Sequence, residues 1–569
     1  MFHYLHDLAM VFGGEAGQGL QTVTETLLRI LKKGGYNLFS CTEYMSRIRG
    51  GCNTTEIRIT DKNRKAYLGR IDMLFALSPL AVDHLESRIS PETLLFAEKE
   101  KFSGKWSEQC IDTPWTKFAH ETGSAVFTNT VAAGVVLGII GTPLESFTDY
   151  LREQFAEKGD DIVSKNTVAA KLGYDFGRRT ALEKDILLPP PTARESSTRL
   201  LMDGNAALGI GAIAAGCNFI STYPMSPGTG LLTFLASKAK TFGVVVDQAE
   251  DEIAAINAAL GASYAGARAV VTTSGGGFDL MQEGVSLAGM IETPMVIHLA
   301  QRPGPATGLP TRTEQGDLNL ALYAGHGDFA RAILAPGTLE ELTEAMPHAF
   351  SLANKFQIPV FVLTDQYLLD AITTIDAACI KQRPIAESII QTGADYQRYA
   401  LSDDGLSPRG VPGYGEGVVR IDSDEHDEQG LITESFVMRH RMVEKRLRRK
   451  QLLRETALLP TIIGSLEEAD TLVICWGSNR GLLEEVLDTL GNKKVAGLHF
   501  CQPYPLNPIV ATLLENKKIV VVENNATGQL ADLLSLETRS RIPGRILKAT
   551  GEPFTVEEMV NELNKLNHA

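Results

Sequence analysis

The acidic run Glu250–Glu252 is the first candidate for chemistry. It stands in the segment QAEDEIAAINAALGASYAGA, at the start of a predicted helix that is otherwise rich in alanine, isoleucine and glycine. Carboxylates serve as general acids and bases, and one at a helix start gains from the helix dipole. On the motif alone, acidic residues in a first turn more often cap the helix, so Glu252 has two interpretations.

A proline-bounded turn supplies the second candidate group. In YPMSPGTG, Ser226 and Thr229 carry hydroxyls on a turn that Pro224 and Pro227 make rigid. Such hydroxyls can bind a ligand, and they can equally serve the turn itself.

Arg312 is the third candidate. It stands in TGLPTRTEQGD, a glycine- and proline-rich loop that follows a predicted buried strand. An arginine there can clamp a carboxylate with two hydrogen bonds. The alternative is an ion pair with Glu314 or Asp317.

A glycine-rich turn, GGEAGQG, follows the first strand, LAMVF. Its spacing is G-x-x-G-x-G, so the G-x-G-x-x-G dinucleotide fingerprint is not met. Backbone N–H groups at the start of the next helix can bind a phosphate or a carboxylate, and a tight turn without a ligand explains the glycines equally well.

The elements that must position these groups have the pattern of an α/β protein. The runs ARAVVTTS, PMVIHLA and PVFVLTD are short, apolar and separated by helical stretches, as in a parallel sheet buried on both faces. Their loops meet at the carboxyl edge, where open α/β sheets bind ligands. We predict α/β domains over residues 1–188, 196–376 and 460–569, with a connector at 377–459 and the proline-rich linker LPPPTARESST before the second domain.

The connector contains a predicted basic helix, SFVMRHRMVEKRLRRKQLLRE. Eight Lys and Arg residues fall between positions 439 and 454. No aromatic residues interleave them, and the whole chain is acidic. We therefore interpret the helix as a solvated face or a surface for an anionic partner rather than a nucleic-acid site.

Composition excludes several classes of protein. The chain has 569 residues with 54 Lys and Arg against 69 Asp and Glu, a net charge of −15, which disfavours nucleic-acid binding. It has no apolar run long enough for a membrane helix and no secretion signal, so we expect a cytoplasmic protein. The seven cysteines are scattered, without a C-x-x-C pair, and neither a metal-ligand pattern nor a G-x-S-x-G motif occurs.

In their order along the chain, these motifs resemble one family. The motifs are, in chain order, GGEAGQG, MSRIRGG, GNAALGIGAIAAG, YPMSP, QAEDEIAAINAALGASYAGARAVVTTSGGG, QRPGPATGLPTRTEQGD, DEHDEQG, WGSNRG, QPYPLNP and VVENNATGQL. Together they are similar to the alpha subunit of 2-oxoacid:ferredoxin oxidoreductases with a gamma domain fused at its N-terminus. The similarity covers nearly the whole chain and is closest to the 2-oxoglutarate enzymes.

The resemblance implies a gamma-type α/β domain, a pyrimidine-binding α/β domain for thiamine diphosphate and a transketolase-C-like α/β domain. It also implies a beta subunit that binds the diphosphate through Mg²⁺ and carries one four-iron, four-sulfur cluster, which agrees with the cysteine pattern. Coenzyme A would be the co-substrate, ferredoxin the electron acceptor, and the assembly a dimer of alpha–beta heterodimers.

The resemblance also assigns residues. Glu252 matches the carboxylate that hydrogen-bonds the pyrimidine ring, with Glu250 as the fallback for an alignment slip of two residues. Arg312 matches the arginine that holds the substrate carboxylate, and Ser226 a hydroxyl beside the reacting carbonyl. Further cofactor contacts are implied for the following residues: Tyr223, Pro224 and Ser274.

This chain departs from the family at Met225 and Ser226, where the usual residues are isoleucine and threonine. Serine keeps the hydroxyl but loses a methyl group, which leaves substrate preference open between 2-oxoglutarate, pyruvate and other 2-oxoacids. Two other classes of protein share parts of this pattern. A single-chain thiamine enzyme of the transketolase or dehydrogenase type would need its own G-D-G…N-N motif, which we do not find. A glycine-rich nucleotide-binding or scaffold protein would use GGEAGQG and the basic helix.

Overall fold

The computed structural model describes residues 2–15, 19–45, 51–102, 105–191, 199–381 and 388–568. Within them, strands and helices alternate along most of the chain. The strands are β1 Phe2–His3, β2 Asp7–Glu15, β3 Asn37–Glu43, β4 Cys52–Thr60, β5 Met73–Ala76, β6 Leu94–Ala97, β7 Cys110–Asp112, β8 Ile186–Leu187, β9 Arg199–Asp203, β10 Phe219–Thr222, β11 Val245–Gln248, β12 Ala269–Thr273, β13 Met295–Gln301, β14 Ala332–Leu334, β15 Pro359–Asp365, β16 Ile372–Asp376, β17 Thr461–Ile463, β18 Thr471–Trp476, β19 Val495–Phe500, β20 Lys518–Glu523 and β21 Gly544–Leu547.

The helices follow most strands, as expected for an α/β chain. They are α1 Leu20–Lys33, α2 Pro79–His84, α3 Trp115–Glu121, α4 Thr128–Ile140, α5 Leu144–Phe155, α6 Asp160–Lys184, α7 Gly204–Ala214, α8 Thr229–Phe242, α9 Glu252–Tyr264, α10 Gly275–Phe278, α11 Gln282–Met290, α12 Leu318–Leu322, α13 Leu339–Phe356, α14 Gln366–Asp370, α15 Phe436–Glu455, α16 Asn479–Leu490, α17 Val510–Leu514, α18 Gln529–Thr538 and α19 Val556–His568.

The first of two compact units is built on a mixed sheet. It comprises Met1–Met202, Asp370–Ala377 and Thr555–Glu558. Its eight strands are ordered β7-β6-β5-β2-β4-β3-β16-β9, and β4 runs antiparallel to both β2 and β3. Helices α4 and α6 pack closely because glycines face each other: a Cβ atom at Gly138 or at Gly177 would collide with a backbone carbonyl of the other helix.

One strand of this sheet comes from far along the chain. The second predicted domain extended to residue 376, but β16 pairs antiparallel with β3, with Thr373 opposite Phe39. The Thr373 hydroxyl also donates to the Leu38 carbonyl oxygen at 2.8 Å. The sheet of the first unit is therefore completed by a segment that the sequence pattern assigned to its neighbour.

The second unit comprises Asp203–Leu369, Ala378–Phe554 and Met559–Ala569, and it contains the predicted parallel sheet. Six parallel strands are ordered β11-β10-β12-β13-β15-β14. Every residue of β12, β13 and β15 is buried, which confirms the prediction that these three runs form strands covered on both faces. A second sheet in this unit has the order β17-β19-β18-β20-β21.

The basic helix α15 differs from the sequence interpretation. Arg441 and Lys450 are exposed, as a solvated face requires, but Lys445, Arg446 and Arg449 are buried. The Lys445 Nζ atom donates to both carboxylate oxygens of Glu292, at 2.7 and 3.0 Å, and Arg449 pairs with the same carboxylate. Three of the eight basic residues thus pair with acidic residues inside this chain, Lys445 and Arg449 with Glu292 and Arg446 with Glu425. The solvated-face interpretation was therefore wrong for these three.

Within the described ranges, no single helix combines the length and the apolar character needed to span a membrane. Taken together, α3 and the stretch Ala125–Ile140 meet the criteria of length and composition, but the pair is bent by 119°.

Candidate active site

The loops that carry the predicted site residues leave the carboxyl ends of neighbouring parallel strands. The YPMSPG turn follows β10, the Ser274 turn follows β12, and the segment 302–317 follows β13. Because β12 lies between β10 and β13, these three loops start side by side at one edge of the sheet.

Glu252 is the first residue of α9 and is 3% exposed. The helix cap is the preceding residue, Asp251, whose carboxylate accepts the Ala254 N–H at 2.7 Å. The Oε1 atom of Glu252 is buried and has no hydrogen-bond partner among the described residues. Glu250, in contrast, is exposed. The capping interpretation therefore holds for Asp251, and of the two glutamates only Glu252 has a buried carboxylate available to a ligand.

The glycine-rich turn after β12 makes room for that carboxylate. A Cβ atom at Gly277 would collide with Oε1 of Glu252 and with the Thr273 hydroxyl. Ser274 is fully buried, and its hydroxyl also lacks a partner within the described part of the chain. The turn thus brings together two of the predicted residues, each with an unpaired polar atom.

The backbone of Ser226 is held by Arg302, a residue that the sequence pattern did not single out. The Arg302 guanidinium donates from Nη1 to the Ser226 carbonyl oxygen at 2.7 Å. Gly228, two residues on, packs so closely on the end of β12 that a Cβ there would lie 2.9 Å from the Thr272 hydroxyl. In the same turn, Tyr223 is 42% exposed. The structure therefore places the YPMSP turn next to the Ser274 turn and anchors it through Arg302.

A buried imidazole joins the ends of β12 and β15 below the loops at this edge of the sheet. His298 is fully buried, with Nδ1 at 2.7 Å from the Thr272 hydroxyl and Nε2 at 2.8 Å from the Thr364 hydroxyl. The Thr272 hydroxyl also lies 3.1 Å from the Gly228 carbonyl oxygen, so it links the imidazole to the YPMSPG turn. Burial lowers the pKa of His298 to about 3, so the ring stays neutral and rigidly hydrogen-bonded at neutral pH.

Arg312 lies further along the third loop. It is half-buried, its backbone N–H donates to the Leu309 carbonyl at 3.1 Å, and the next residue, Thr313, donates to the Gly551 carbonyl. Gly551 adopts φ +84°, and a Cβ there would lie 3.1 Å from the Cβ of Arg312. The arginine is thus set against a loop near the end of the chain, while Arg302 is the arginine that contacts the Ser226 turn.

The third loop is tied to the C-terminal sheet by Gln315. Its amide Nε2 donates to the Trp476 carbonyl at 2.8 Å, and its Oε1 accepts from the Asn479 side chain at 3.0 Å. The Asn525 side chain donates to the Gln315 carbonyl at 3.1 Å. The WGSN and ENN motifs therefore position the arginine loop, which explains these asparagines without a diphosphate-binding role.

Two predicted features fall partly or wholly outside the described residues. Positions 16–18 of GGEAGQG and 46–50 of MSRIRGG are among them. Gly13, which the structure does describe, lies in β2, where a Cβ would collide with Ala81. Across the described ranges, no group of three or more His, Cys, Asp or Glu side chains is arranged to hold a metal ion.

Known proteins are similar to this chain over most of its length. The 2-oxoglutarate synthase subunit KorA of Methanocaldococcus jannaschii is 32% identical to this chain, over 64% of this chain and 96% of its own length. This chain belongs to the alpha-subunit family of 2-oxoacid:ferredoxin oxidoreductases. The motif resemblance is thereby confirmed.

Other comparisons agree with this family. The model described as pyruvate flavodoxin/ferredoxin oxidoreductase, thiamine diP-bdg, matches residues 210–445 of the alpha subunit, and the pyruvate ferredoxin/flavodoxin oxidoreductase model matches residues 9–176. The 2-oxoacid:ferredoxin oxidoreductase subunit alpha of Sulfolobus sp is 29% identical over 98% of this chain and 97% of its own. A solved structure, 2-oxoglutarate:ferredoxin oxidoreductase from Magnetococcus marinus with 2-oxoglutarate, coenzyme A and succinyl-CoA bound, superposes with a TM-score of 0.91, at 29% identity, covering 98% of this chain and 99% of that one.

Sequence reasoning missed several residues that pack around the candidate site of the alpha subunit. Arg302, His298 and Gln315 were not singled out, and Asp317 was considered only as an ion-pair partner of Arg312. A signal was present for part of this: three consecutive glycines after a buried strand, Gly275–Gly277, indicate a close approach by neighbouring groups. Which side chains approach was not readable from local pattern, because they come from other loops.

Proposed function

We propose that this alpha subunit acts with a separate beta subunit in the coenzyme A-dependent oxidative decarboxylation of 2-oxoglutarate. The products are succinyl-CoA, carbon dioxide and reduced ferredoxin, and the reaction is reversible. The observation that carries the proposal is the Glu252 carboxylate, which is buried at the carboxyl edge of the parallel sheet. Its Oε1 atom has no hydrogen-bond partner within the described ranges. A buried acceptor without a partner is costly unless a ligand satisfies it.

The residues present fit thiamine diphosphate. The unpaired Oε1 of Glu252 is suited to accept a hydrogen bond from the pyrimidine ring, and glycine at 277 keeps that space open. The unpaired hydroxyl of Ser274 and the partly exposed Tyr223 and Pro224 would border the same ring.

Bound thiamine diphosphate supplies a carbon nucleophile and an electron sink for decarboxylation. Glu252 would hold a proton at the ring nitrogen, since an ionised carboxylate in a buried site strongly favours the protonated partner. The Ser226 hydroxyl would donate a hydrogen bond to the reacting carbonyl oxygen. Arg302 would hold the backbone of the turn that carries Ser226. Arg312 would bind the substrate carboxylate.

Substrate and co-substrate are proposed from the relatives. Proteins similar to this chain are named 2-oxoglutarate oxidoreductase and 2-oxoglutarate synthase, and the Magnetococcus marinus structure has 2-oxoglutarate and coenzyme A bound. Serine in place of the family threonine at position 226 leaves the hydroxyl available to any 2-oxoacid.

The cysteines of this chain bear on which cofactors the beta subunit would bind. The seven cysteines are unpaired thiols dispersed from position 41 to position 501, a pattern typical of a reducing, cytoplasmic compartment. We assign the four-iron, four-sulfur cluster and the Mg²⁺ that binds the diphosphate to the beta subunit. The assembly would be a dimer of alpha–beta heterodimers that reduces ferredoxin.

A substrate panel tests the proposal. The chain co-expressed with its beta subunit is assayed for ferredoxin reduction with 2-oxoglutarate, pyruvate and branched-chain 2-oxoacids, with and without coenzyme A. We expect the highest kcat/KM for 2-oxoglutarate and no turnover without coenzyme A. A preference for pyruvate would overturn the substrate assignment, and inactivity with every 2-oxoacid would overturn the function.

The role of Arg312 is tested by Arg312→Ala. Loss of a charge-assisted hydrogen-bonding pair should raise KM for the 2-oxoacid about 10- to 100-fold and leave KM for coenzyme A unchanged. Arg441→Ala, which removes an exposed arginine from α15, is the matched control and should leave both constants as they are. An unchanged KM for the 2-oxoacid in Arg312→Ala would exclude this arginine from substrate binding.

A further inference from the structure

Asp317 occupies the other side of the glycine turn that accommodates Glu252. A Cβ atom at Gly275 would lie 2.7 Å and 2.8 Å from the two carboxyl oxygens of Asp317, so the carboxyl group takes the space that a side chain would need. The backbone N–H of Asp317 donates to the side-chain Oε1 of Gln301 at 3.0 Å, which holds the residue in place. The turn therefore lies between two carboxyl groups, Asp317 at Gly275 and Glu252 at Gly277.

One oxygen of the Asp317 carboxyl group has no hydrogen-bond partner among the residues that the structure describes. This atom, Oδ2, is buried. Although Asp317 directly precedes α12, its side chain makes no capping hydrogen bond. A buried carboxyl oxygen that finds no hydrogen-bond partner in the described part of the chain needs another explanation.

We propose that Asp317 is a proton-carrying positioning residue of the cofactor site, acting on Ser274 and Glu252 through the glycine turn between them. The uncharged carboxyl group of Asp317 packs against Gly275. The turn then holds Ser274 in place and leaves the space that the Glu252 side chain occupies. The ionised form places a negative charge against the same turn, which disfavours the packing that holds Ser274 and leaves room for Glu252. The inference rests on the proposed function, because it assumes that Glu252 and Ser274 bind the thiamine cofactor.

The charges around Asp317 determine when it ionises. Burial, together with the carboxylates of Glu314 on the same loop and Asp279 after the turn, raises its pKa to about 7, and Arg302 opposes that shift only in part. A carboxyl group with a raised pKa is neutral below that pH and charged above it. Cofactor affinity should therefore be full near pH 6 and fall by up to about tenfold for each pH unit above 7, until the bound form also ionises.

Cofactor binding measured against pH tests the proposal. The alpha–beta complex is depleted of cofactor and titrated calorimetrically with thiamine diphosphate and Mg²⁺ between pH 6.0 and 8.5. Asp317→Asn keeps the shape of the neutral acid and cannot ionise. We expect it to bind as tightly as the unchanged complex at pH 6 and to retain that affinity at pH 8, where the unchanged complex is about tenfold weaker.

Two results would overturn the proposal. One is an Asp317→Asn complex that keeps the pH dependence of the unchanged protein; the other is a folded Asp317→Asn complex that does not bind the cofactor at pH 6. Glu314→Gln gives a second measurement that does not alter Asp317. Removing this neighbouring anion lowers the pKa of Asp317, so the midpoint of the affinity profile should move to lower pH, and an unmoved midpoint also counts against the proposal.

Failure of the proposed function has a different signature. An unchanged complex that binds no thiamine diphosphate at any pH would overturn that function. A complex that binds it with no difference between Asp317→Asn and the unchanged protein leaves the function in place and overturns only the role of Asp317.

Discussion

Glu252→Gln is expected to lower 2-oxoacid turnover by the reconstituted enzyme by about 100- to 10,000-fold, the usual contribution of a positioned acid–base group. Glutamine keeps the size of the side chain but removes its negative charge, so it no longer favours a proton on the bound ring. Because Glu252 lies in a buried site, its charge contributes far more electrostatic stabilisation than it would in water. Turnover is measured as ferredoxin reduction, and gel filtration of the alpha–beta complex reports whether assembly is intact.

Two further variants sharpen this experiment. Glu250→Gln alters the exposed neighbour and should retain turnover within about twofold, as surface substitutions usually do. Gly277→Ala leaves Glu252 in the sequence but adds a methyl group where its Oε1 lies, so turnover should also collapse. Near-normal turnover in Glu252→Gln, or a loss confined to Glu250→Gln, would contradict the assignment.

The second large effect concerns stability. Glu292 is fully buried and faces two cations, Lys445 and Arg449, whose side chains are 1% and 2% exposed. Glu292→Ala would leave both cations buried without their counter-ion, and breaking a buried pair in this way typically costs about 3–5 kcal/mol. We expect a clear drop in the midpoint of urea or thermal unfolding of the purified protein.

The control is an exposed ion pair of the same charge type. Glu25 and Arg29 form an i,i+4 pair on α1 with side chains 57% and 56% exposed. Glu25→Ala should cost no more than about 0.5 kcal/mol. If the two substitutions destabilise the protein equally, the buried cluster does not hold α15 in the way the contacts imply.

The same cluster predicts the direction of acid sensitivity. Burial alone raises the pKa of Glu292, but Arg449, Lys445 and Arg398 more than reverse this and hold the pKa well below its usual range. A carboxylate with a depressed pKa contributes stability above the pKa of the unfolded chain, about 4.3, and that contribution is lost as the pH falls further. Glu292→Ala should therefore flatten the decline in stability below about pH 4.

Local sequence pattern was enough to predict the buried strands and the sheet edge where the candidate site residues gather. The runs that became β12, β13 and β15 are apolar, short and bounded by turn residues, and the structure buries them in one parallel sheet. The start of α9 was also readable, which put Glu252 at a helix N-terminus. Family membership followed from the order of motifs and is confirmed by the comparisons.

What sequence pattern did not predict depends on partners distant along the chain. The sequence pattern predicted a solvent-exposed Lys445 because its counter-ion, Glu292, lies 153 residues away along the chain. Arg302 was overlooked because its contact, the Ser226 carbonyl, is a backbone group that no side-chain pattern reports. Periodicity describes which face of an element is buried, but it does not say which distant group will meet that face.

The late strand β16 has a consequence for how this gene could be divided. A truncated product ending at residue 191 would contain β2 to β7 but neither β16 nor β9, which complete the same sheet beyond β3. In that product β3 would be an edge strand with a row of unpaired backbone N–H and C=O groups. Such an edge promotes pairing between molecules and aggregation of the truncated protein. The proline-rich stretch before residue 199 therefore looks like a natural cut point but is a poor one. Expressing the N-terminal portion in isolation would require supplying the missing strands as a complementing fragment.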